Sequence, residues 1–136
     1  MSASVHQHPF RVYYEDTDAS GVVYHAAYVC FFERGRSEWL RQLGVCHHDV
    51  AASSEVVFAV KTLMINYQRS AVLDDWLVVH TTAEQSGRSR LLFKQELWRN
   101  DRLLADARIE VVCVRGDPFR AVAIPQSLIA LLPSPH

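Results

Sequence analysis

The sequence predicts an α+β fold, in which one long helix packs on one face of an antiparallel sheet. One stretch of the chain has the apolar spacing of a helix, and a run of β-rich segments follows it. Clusters of turn-forming residues separate these segments, which is typical of antiparallel strands joined by hairpins. The predicted strands of this run are residues 56–67, 76–84, 89–99 and 103–115.

The first predicted element is a strand over residues 10–14, with Phe10, Val12 and Tyr14 on one face. A polar loop over residues 15–21 follows it and ends in a glycine. The apolar pattern then changes from alternation to helical spacing, so the helix is expected to start directly after this loop.

The long helix is predicted over residues 23–43. Its apolar residues fall three, four or seven positions apart, while charged residues face elsewhere. These apolar residues are Val29, Phe32, Trp39, Leu40 and Leu43. Gly44 follows as a C′ residue able to take a left-handed conformation, so we expect the helix to end there.

The end of the chain and the single long helix both bear on how the sheet is covered. An apolar stretch over residues 127–132 follows Pro125 and predicts one or two further helical turns. One long helix cannot cover a wide sheet, so part of the sheet is left for another subunit to bury. We therefore expect a homo-oligomer.

The composition is that of an ordinary globular protein. The 136 residues are 49% hydrophobic and 21% charged, and a chain of this length and composition predicts a single domain over residues 1–136. Lys and Arg number 14 against 15 Asp and Glu, so the formal net charge is -1. No overall field favours nucleic acid or an anionic membrane surface, and we expect no nucleic-acid partner.

The cysteines and the apolar stretches predict a soluble, cytoplasmic protein. The three cysteines show neither close pairing nor a CxxC unit, which argues against a disulfide framework or a structural zinc site. Residues 1–10 lack the uninterrupted apolar core of a signal peptide. The most apolar stretch, residues 22–32, is broken by His25 and is shorter than the about 20 residues of a membrane span.

The densest chemistry lies between the first strand and the helix. Asp18 is the last of three acids before Gly21, and His25 follows near the first helical turn. The free backbone N–H groups and the positive end of the dipole at a helix start can hold a developing oxyanion. A carboxylate opposite them can act as general base or nucleophile on an activated acyl group. An Asp that only caps the turn is the alternative interpretation.

This segment resembles the signature of the hot-dog-fold acyl-CoA thioesterases of the 4-hydroxybenzoyl-CoA thioesterase type, and most closely their Tol–Pal-associated bacterial branch. The resemblance begins with YYEDTD at 13–18 and GVVYHA at 21–26. It continues through ERGRSE at 33–38, LDD at 73–75, VVCV at 111–114 and IPQSL at 124–128. It therefore covers most of the chain.

The resemblance implies a hot-dog fold, a dimer that joins two sheets, and an acyl-CoA site at the dimer interface. Asp18 matches the family's catalytic carboxylate, acting as general base or as nucleophile. His25 sits at the family's histidine and helix-start position, where its backbone N–H would polarise the thioester carbonyl, and Tyr14 matches an active-site tyrosine. Coenzyme A is part of the substrate, and neither a cofactor nor a metal is expected.

The hairpin containing Arg88, Ser89 and Arg90 is a candidate binding site for the phosphates of coenzyme A. A solvated hairpin tip would have the same composition. Glu33 is a second acid to weigh, because another branch of hot-dog thioesterases uses a helix glutamate. Its spacing from Arg36 favours a structural ion pair instead.

Two other functions remain as alternatives. One is hydration or dehydration of an acyl thioester, and the other is a non-catalytic acyl-CoA sensor or a scaffold near the cell envelope. The resemblance further suggests a homodimer or homotetramer and an association with Tol–Pal components or acyl carrier protein. It favours a short to medium aliphatic acyl chain, although long and aromatic chains stay open.

Overall fold

The structure, a computed structural model, describes residues 5–43, 56–116, 118–130 and 132 of the chain. The strands are β1 (His6–Arg11), β2 (Val57–Tyr67), β3 (Trp76–Gly87), β4 (Arg90–Arg99), β5 (Arg102–Arg115) and β6 (Arg120–Ala121). The helices are α1 (Ala27–Gln42) and α2 (Gln126–Ile129), and a 3₁₀ turn spans Tyr14–Asp16.

These strands form one antiparallel sheet in the order β1-β3-β4-β5-β2, with β6 beside β5. Helix α1 packs on one face of the sheet, against β1, β3 and β4. The predicted α+β class is confirmed, and so is the hot-dog arrangement of a sheet wrapped around a long helix. No helix within the described ranges is long and apolar enough to cross a membrane.

The first strand lies earlier in the chain than the sequence predicts. β1 ends at Arg11, and Tyr14 begins the 3₁₀ turn instead of continuing the strand. The chain turns here because the Asp16 carboxylate accepts the N–H of Tyr13 at 2.9 Å. This local hydrogen bond competes with the sheet for the backbone donor, so the alternating apolar pattern runs past the strand's end.

The long helix begins later than the sequence predicts. Val23 forms a β-bridge with Thr17 and donates its N–H to the Ala71 carbonyl at 2.9 Å. The predicted first helical turn is therefore extended, and α1 starts at Ala27. The predicted cap residue Gly44 lies outside the described residues.

The core lies between α1 and the sheet. The largest buried side chains of α1 are Tyr28, Phe31, Phe32, Trp39 and Leu40. They face buried side chains of the sheet that include Leu77, Val79, Phe93, Leu97 and Ile109. Trp39 packs edge-on against Phe93 with 5.3 Å between ring centroids, which places it in the core as its spacing predicts.

Gly35 lies where α1 and the sheet come into close contact. A Cβ atom at this position would lie 2.5 Å from Cγ1 of Val79 and 3.0 Å from Nε2 of Gln95. The neighbouring side chains would have to move to admit it. The close approach therefore accounts for a glycine that costs about 1 kcal/mol of helix propensity relative to alanine.

A buried polar network crosses the same contact between helix and sheet. The Nη1 of Arg36 donates to the Oε1 of Gln95 at 3.1 Å. The Nε2 of Gln95 donates to the Phe32 carbonyl at 2.9 Å and to the Thr81 hydroxyl at 3.0 Å. Arg36 is only 7% exposed and Gln95 only 1%, so each depends on the other for hydrogen bonds that water would otherwise supply.

Strand β2 is a terminal strand of the sheet and has an unusually apolar surface. Its exposed apolar side chains are Val57, Val60, Leu63, Met64 and Tyr67. An exposed, apolar terminal strand invites pairing with another chain.

Candidate active site

Asp18 lies in a tight hairpin that precedes α1. Its N–H donates to the Val22 carbonyl at 2.9 Å, and its carbonyl accepts the N–H of Gly21 at 3.1 Å. Gly21 has a φ of +82°, a left-handed conformation that favours glycine. The bridge between Thr17 and Val23 closes the hairpin, so Asp18 is held on a short, defined loop.

The carboxylate of Asp18 is exposed and anchored on one side. Its Oδ1 accepts the N–H of Ser20 at 2.8 Å and the Ser20 hydroxyl at 2.6 Å. The hydroxyl bond and then the backbone bond of Ser20 lower the pKa of Asp18 from its ordinary value. The turn-capping interpretation is thus correct for Oδ1, while the group as a whole is ionised at neutral pH.

His25 lies at the start of α1, two residues before Ala27. Its side chain is exposed, and its ring lies 4.5 Å from that of Tyr24. Within the described part of the chain, the His25 N–H has no backbone acceptor. The Tyr24 N–H donates to the Asp16 carbonyl at 2.9 Å, which ties the helix start to the base of the Asp18 hairpin. Asp18 and His25 are thereby brought to the same end of α1.

Tyr14 lies at the base of the same hairpin. Its carbonyl accepts the N–H of Thr17 at 3.1 Å and the Thr17 hydroxyl at 2.7 Å. Its side chain is 81% exposed, so the ring projects into solvent beside the hairpin. The geometry leaves it accessible to a bound molecule without directing it at Asp18.

The predicted phosphate-binding residues separate into two groups. Arg88 and Ser89 line an open groove of about 670 Å³ together with Arg115. Arg90 lies elsewhere, with its Nη1 at 3.9 Å from the Glu110 carboxylate. Sequence reasoning missed Arg115, which ends β5. The signal that could have identified Arg115 is the antiparallel pairing of β4 and β5, because this pairing places the end of β5 beside the start of β4.

A second cavity, of about 280 Å³, lies between α1 and the sheet. Its walls are mostly apolar and include Leu40, Phe58, Val60, Leu91, Phe93 and Val111. Glu33 and Arg36 also line it, but the predicted ion pair between them is not among the ion pairs of the described residues. Glu33 instead accepts the Ser37 hydroxyl at 3.1 Å, and Arg36 bonds to Gln95.

Metal-binding side chains do not cluster in the described ranges. No group of three or more His, Cys, Asp or Glu side chains there could hold an ion. His6 and His8 lie on the same strand, β1, and their alternate spacing is that of one face of a strand.

Comparison with known proteins gives consistent matches over most of the chain. The family model for the thioesterase superfamily matches residues 20–105. The acyl-CoA thioesterase YbgC of Haemophilus influenzae is 45% identical over 122 residues, which are 90% of this chain and 90% of that protein. The acyl-CoA thioester hydrolase YbgC of Escherichia coli is 39% identical over 134 residues, which are 96% of this chain and 97% of that protein.

The fold is also similar to solved structures. A probable thioesterase from Bartonella henselae superposes with a TM-score of 0.85 and 34% sequence identity, covering 90% of this chain and 100% of that chain. The family match begins at residue 20, so Asp18 and Tyr14 lie just outside it. Their assignment depends on the motif and on the hairpin geometry.

Proposed function

Since the chain belongs to the thioesterase superfamily, we propose that it hydrolyses acyl-CoA thioesters to a free acid and coenzyme A, with Asp18 as the reacting carboxylate. The observation that carries this proposal is the hairpin. It presents an ionised, exposed carboxylate at the N-terminal end of α1. There the His25 N–H has no backbone acceptor within the described ranges. A base or nucleophile and an oxyanion donor are what thioester hydrolysis requires.

Two routes use this arrangement. As general base, Asp18 takes a proton from water while the water oxygen attacks the carbonyl carbon. The C–S bond then breaks, and the leaving thiolate takes the proton from Asp18. As nucleophile, the Asp18 carboxylate attacks the carbonyl carbon, the C–S bond breaks and the thiolate leaves, which gives a mixed anhydride. Water then hydrolyses the anhydride, which releases the acid, restores the Asp18 carboxylate and supplies the proton that the thiolate takes up. In both routes the carbonyl oxygen gains negative charge, which the N–H groups at the helix start stabilise. The exposed phenol of Tyr14 can contact the bound thioester.

The site is proposed to be shared between two subunits. A twofold axis normal to the sheet pairs β2 antiparallel with the partner's β2. The end of β2 at Tyr67, whose hydroxyl bonds to the His25 carbonyl, then lies beside the start of the partner's β2. Val56, next to that start, lines the groove that contains Arg88, Ser89 and Arg115. The partner's Arg88, Ser89 and Arg115 thus supply donors for the phosphates of coenzyme A.

The apolar cavity is proposed to take the acyl chain. Phe58 and Val60, in the first half of β2, form part of the cavity wall. The same twofold axis places this half of β2 beside the end of the partner's β2, so the cavity would face the partner's Asp18. Its volume of about 280 Å³ is at the small end of ligand pockets, which supports a short to medium aliphatic chain. Association with Tol–Pal components or with acyl carrier protein stays a prediction of the resemblance.

A thiol-release assay on acyl-CoA substrates of graded chain length tests the proposal. We expect release of coenzyme A, with kcat/KM highest for short to medium chains and lower for long ones, because the cavity limits the length that can be buried. Enoyl-CoA substrates, followed by absorbance, separate the hydratase alternative. Loss of enoyl absorbance without thiol release would support hydration. Tight acyl-CoA binding without any turnover would support the sensor instead.

The variant Ser20→Ala is expected to move the acid limb of kcat/KM to higher pH. The Ser20 hydroxyl is the largest cause of the lowered pKa of Asp18, so removing it raises that pKa toward the ordinary value near 3.9. The ionised carboxylate is the active form; as the pH falls, the variant therefore loses activity before the parent. The measurement is kcat/KM against pH, with folding checked at each pH.

Ser86→Ala is the matched control for this variant, because the Ser86 hydroxyl also bonds a carboxylate, that of Glu110 at 3.1 Å. It should leave the acid limb in place. Coincident acid limbs for Ser20→Ala and the parent would mean that another group limits the rate at low pH.

A further inference from the structure

Tyr67 connects the edge of the sheet to the start of α1, and we propose that its hydroxyl positions the oxyanion donors there. This inference rests on the function proposed above. The phenol donates to the His25 carbonyl at 2.8 Å, across 42 residues of sequence. It makes Tyr67 a positioning residue, one that acts through the backbone and does not touch the substrate.

The contact is built to persist. The Tyr67 ring packs edge-on against Tyr28, with 5.0 Å between centroids and planes at 90°, which fixes the direction of the phenol. Burial raises the pKa of Tyr67 above its ordinary value, so the hydroxyl keeps its proton at neutral pH and acts as a donor.

The bond from Tyr67 to the His25 carbonyl also affects the Ala26 N–H, because both groups belong to a single peptide unit. The His25 carbonyl and the Ala26 N–H belong to one plane, so a bond that fixes the oxygen also fixes the direction of the N–H. Within the described ranges, the Ala26 N–H has no backbone acceptor. A hydrogen bond accepted at the oxygen also polarises the unit and strengthens the N–H as a donor. The Ala26 N–H is thus a second oxyanion donor beside that of His25.

The peptide unit between His25 and Ala26 lies in a single turn before the regular bonding of α1, closed by the bond from the Ala27 N–H to the Tyr24 carbonyl at 2.8 Å. Residues 25 and 26 form an exposed turn between the extended segment at Val23 and the first residue of α1. The Ala71 carbonyl holds Val23, and the Ala71 N–H donates to the Tyr28 hydroxyl at 3.0 Å. These contacts fix both sides of the turn, and the Tyr67 hydroxyl adds a bond to the His25 carbonyl inside it.

The test is Tyr67→Phe, which removes the hydroxyl and keeps the ring against Tyr28. We expect kcat for acyl-CoA hydrolysis to fall roughly fivefold to tenfold, the effect of weakening one hydrogen bond in the transition state. KM should change less than about twofold, because the ground-state contacts remain. The acid limb of the pH profile should not move, since Asp18 is untouched. Tyr13→Phe, which removes another exposed phenol hydroxyl, should keep the parental kcat.

Amide hydrogen exchange, followed by NMR, tests the same inference without activity. The Ala26 amide should exchange faster in Tyr67→Phe than in the parent, while amides in the middle of α1 should not change. Parental kcat and parental exchange at Ala26 would overturn the positioning role, and a raised KM with unchanged kcat would assign the hydroxyl to substrate binding. A parent that releases no thiol from any acyl-CoA would overturn the proposed function; the exchange experiment would then still decide whether Tyr67 orders the turn.

Discussion

Replacing Asp18 with Asn is expected to lower kcat for acyl-CoA hydrolysis by about 10²- to 10⁴-fold, the range that a positioned base or nucleophile contributes. An amide can neither take the proton from water nor form the anhydride. The fold should be unaffected, because the side chain is exposed and the amide oxygen can still accept the Ser20 N–H. Thiol release gives the rate, and circular dichroism with size exclusion gives folding and assembly.

Glu15→Gln is the matched control, since Glu15 is an exposed acid of the same loop. It should retain the parental rate. A folded Asp18→Asn protein that hydrolyses acyl-CoA at the parental rate would remove Asp18 from the mechanism.

The Asp18→Asn protein also tests whether the site is shared. It would be mixed with the double variant Arg88→Ala/Arg115→Ala under conditions that allow subunits to exchange. A mixed dimer then has one site with both lesions and one with none, so an equal mixture should recover about one quarter of the parental activity. No recovery after demonstrated exchange would mean that the arginines serve the Asp18 of their own subunit.

The sequence predicts the regular elements well wherever the signal is local. The helical spacing around Trp39 and Leu40 identifies α1, and the turn clusters separate β3, β4 and β5 within a few residues of their observed ends. The predicted start of the helix is wrong because an apolar Val23 fits the pattern of either a helix or an extended segment. The hydrogen bond from Val23 to Ala71 favours the extended conformation. It joins residues 48 positions apart, so the local sequence pattern does not indicate it.

The same distinction separates the parts of the candidate site. Asp18 and His25 are recognisable because the hairpin and the helix start are local features with a motif. Strand pairing places Arg115 in the groove with Arg88 and Ser89, and a long-range contact places the Tyr67 hydroxyl on the His25 carbonyl. A sequence pattern does not encode such a distance directly, so both residues became visible only once the sheet order was known.

Replacing Gln95 with Leu is expected to lower the free energy of unfolding by about 3–5 kcal/mol, the usual effect of removing one partner from a buried charged group. Leu nearly preserves the volume but loses all three hydrogen bonds of the amide. Arg36, which is 7% exposed, then keeps its charge without the oxygen that accepts it. Burial lowers the pKa of Arg36, while the charge of Glu33 raises it. Urea unfolding at one fixed protein concentration measures the change.

The double variant Arg36→Leu/Gln95→Leu separates the buried charge from the lost packing. With the guanidinium gone, no charge is left without a partner, so the double variant should be more stable than Gln95→Leu alone. Gln7→Leu, on the exposed face of β1, should change stability by less than about 0.5 kcal/mol. If Gln95→Leu instead unfolds within about 1 kcal/mol of the parent, the guanidinium finds another acceptor or water, and the helix–sheet contact at Gly35 is held by apolar packing alone.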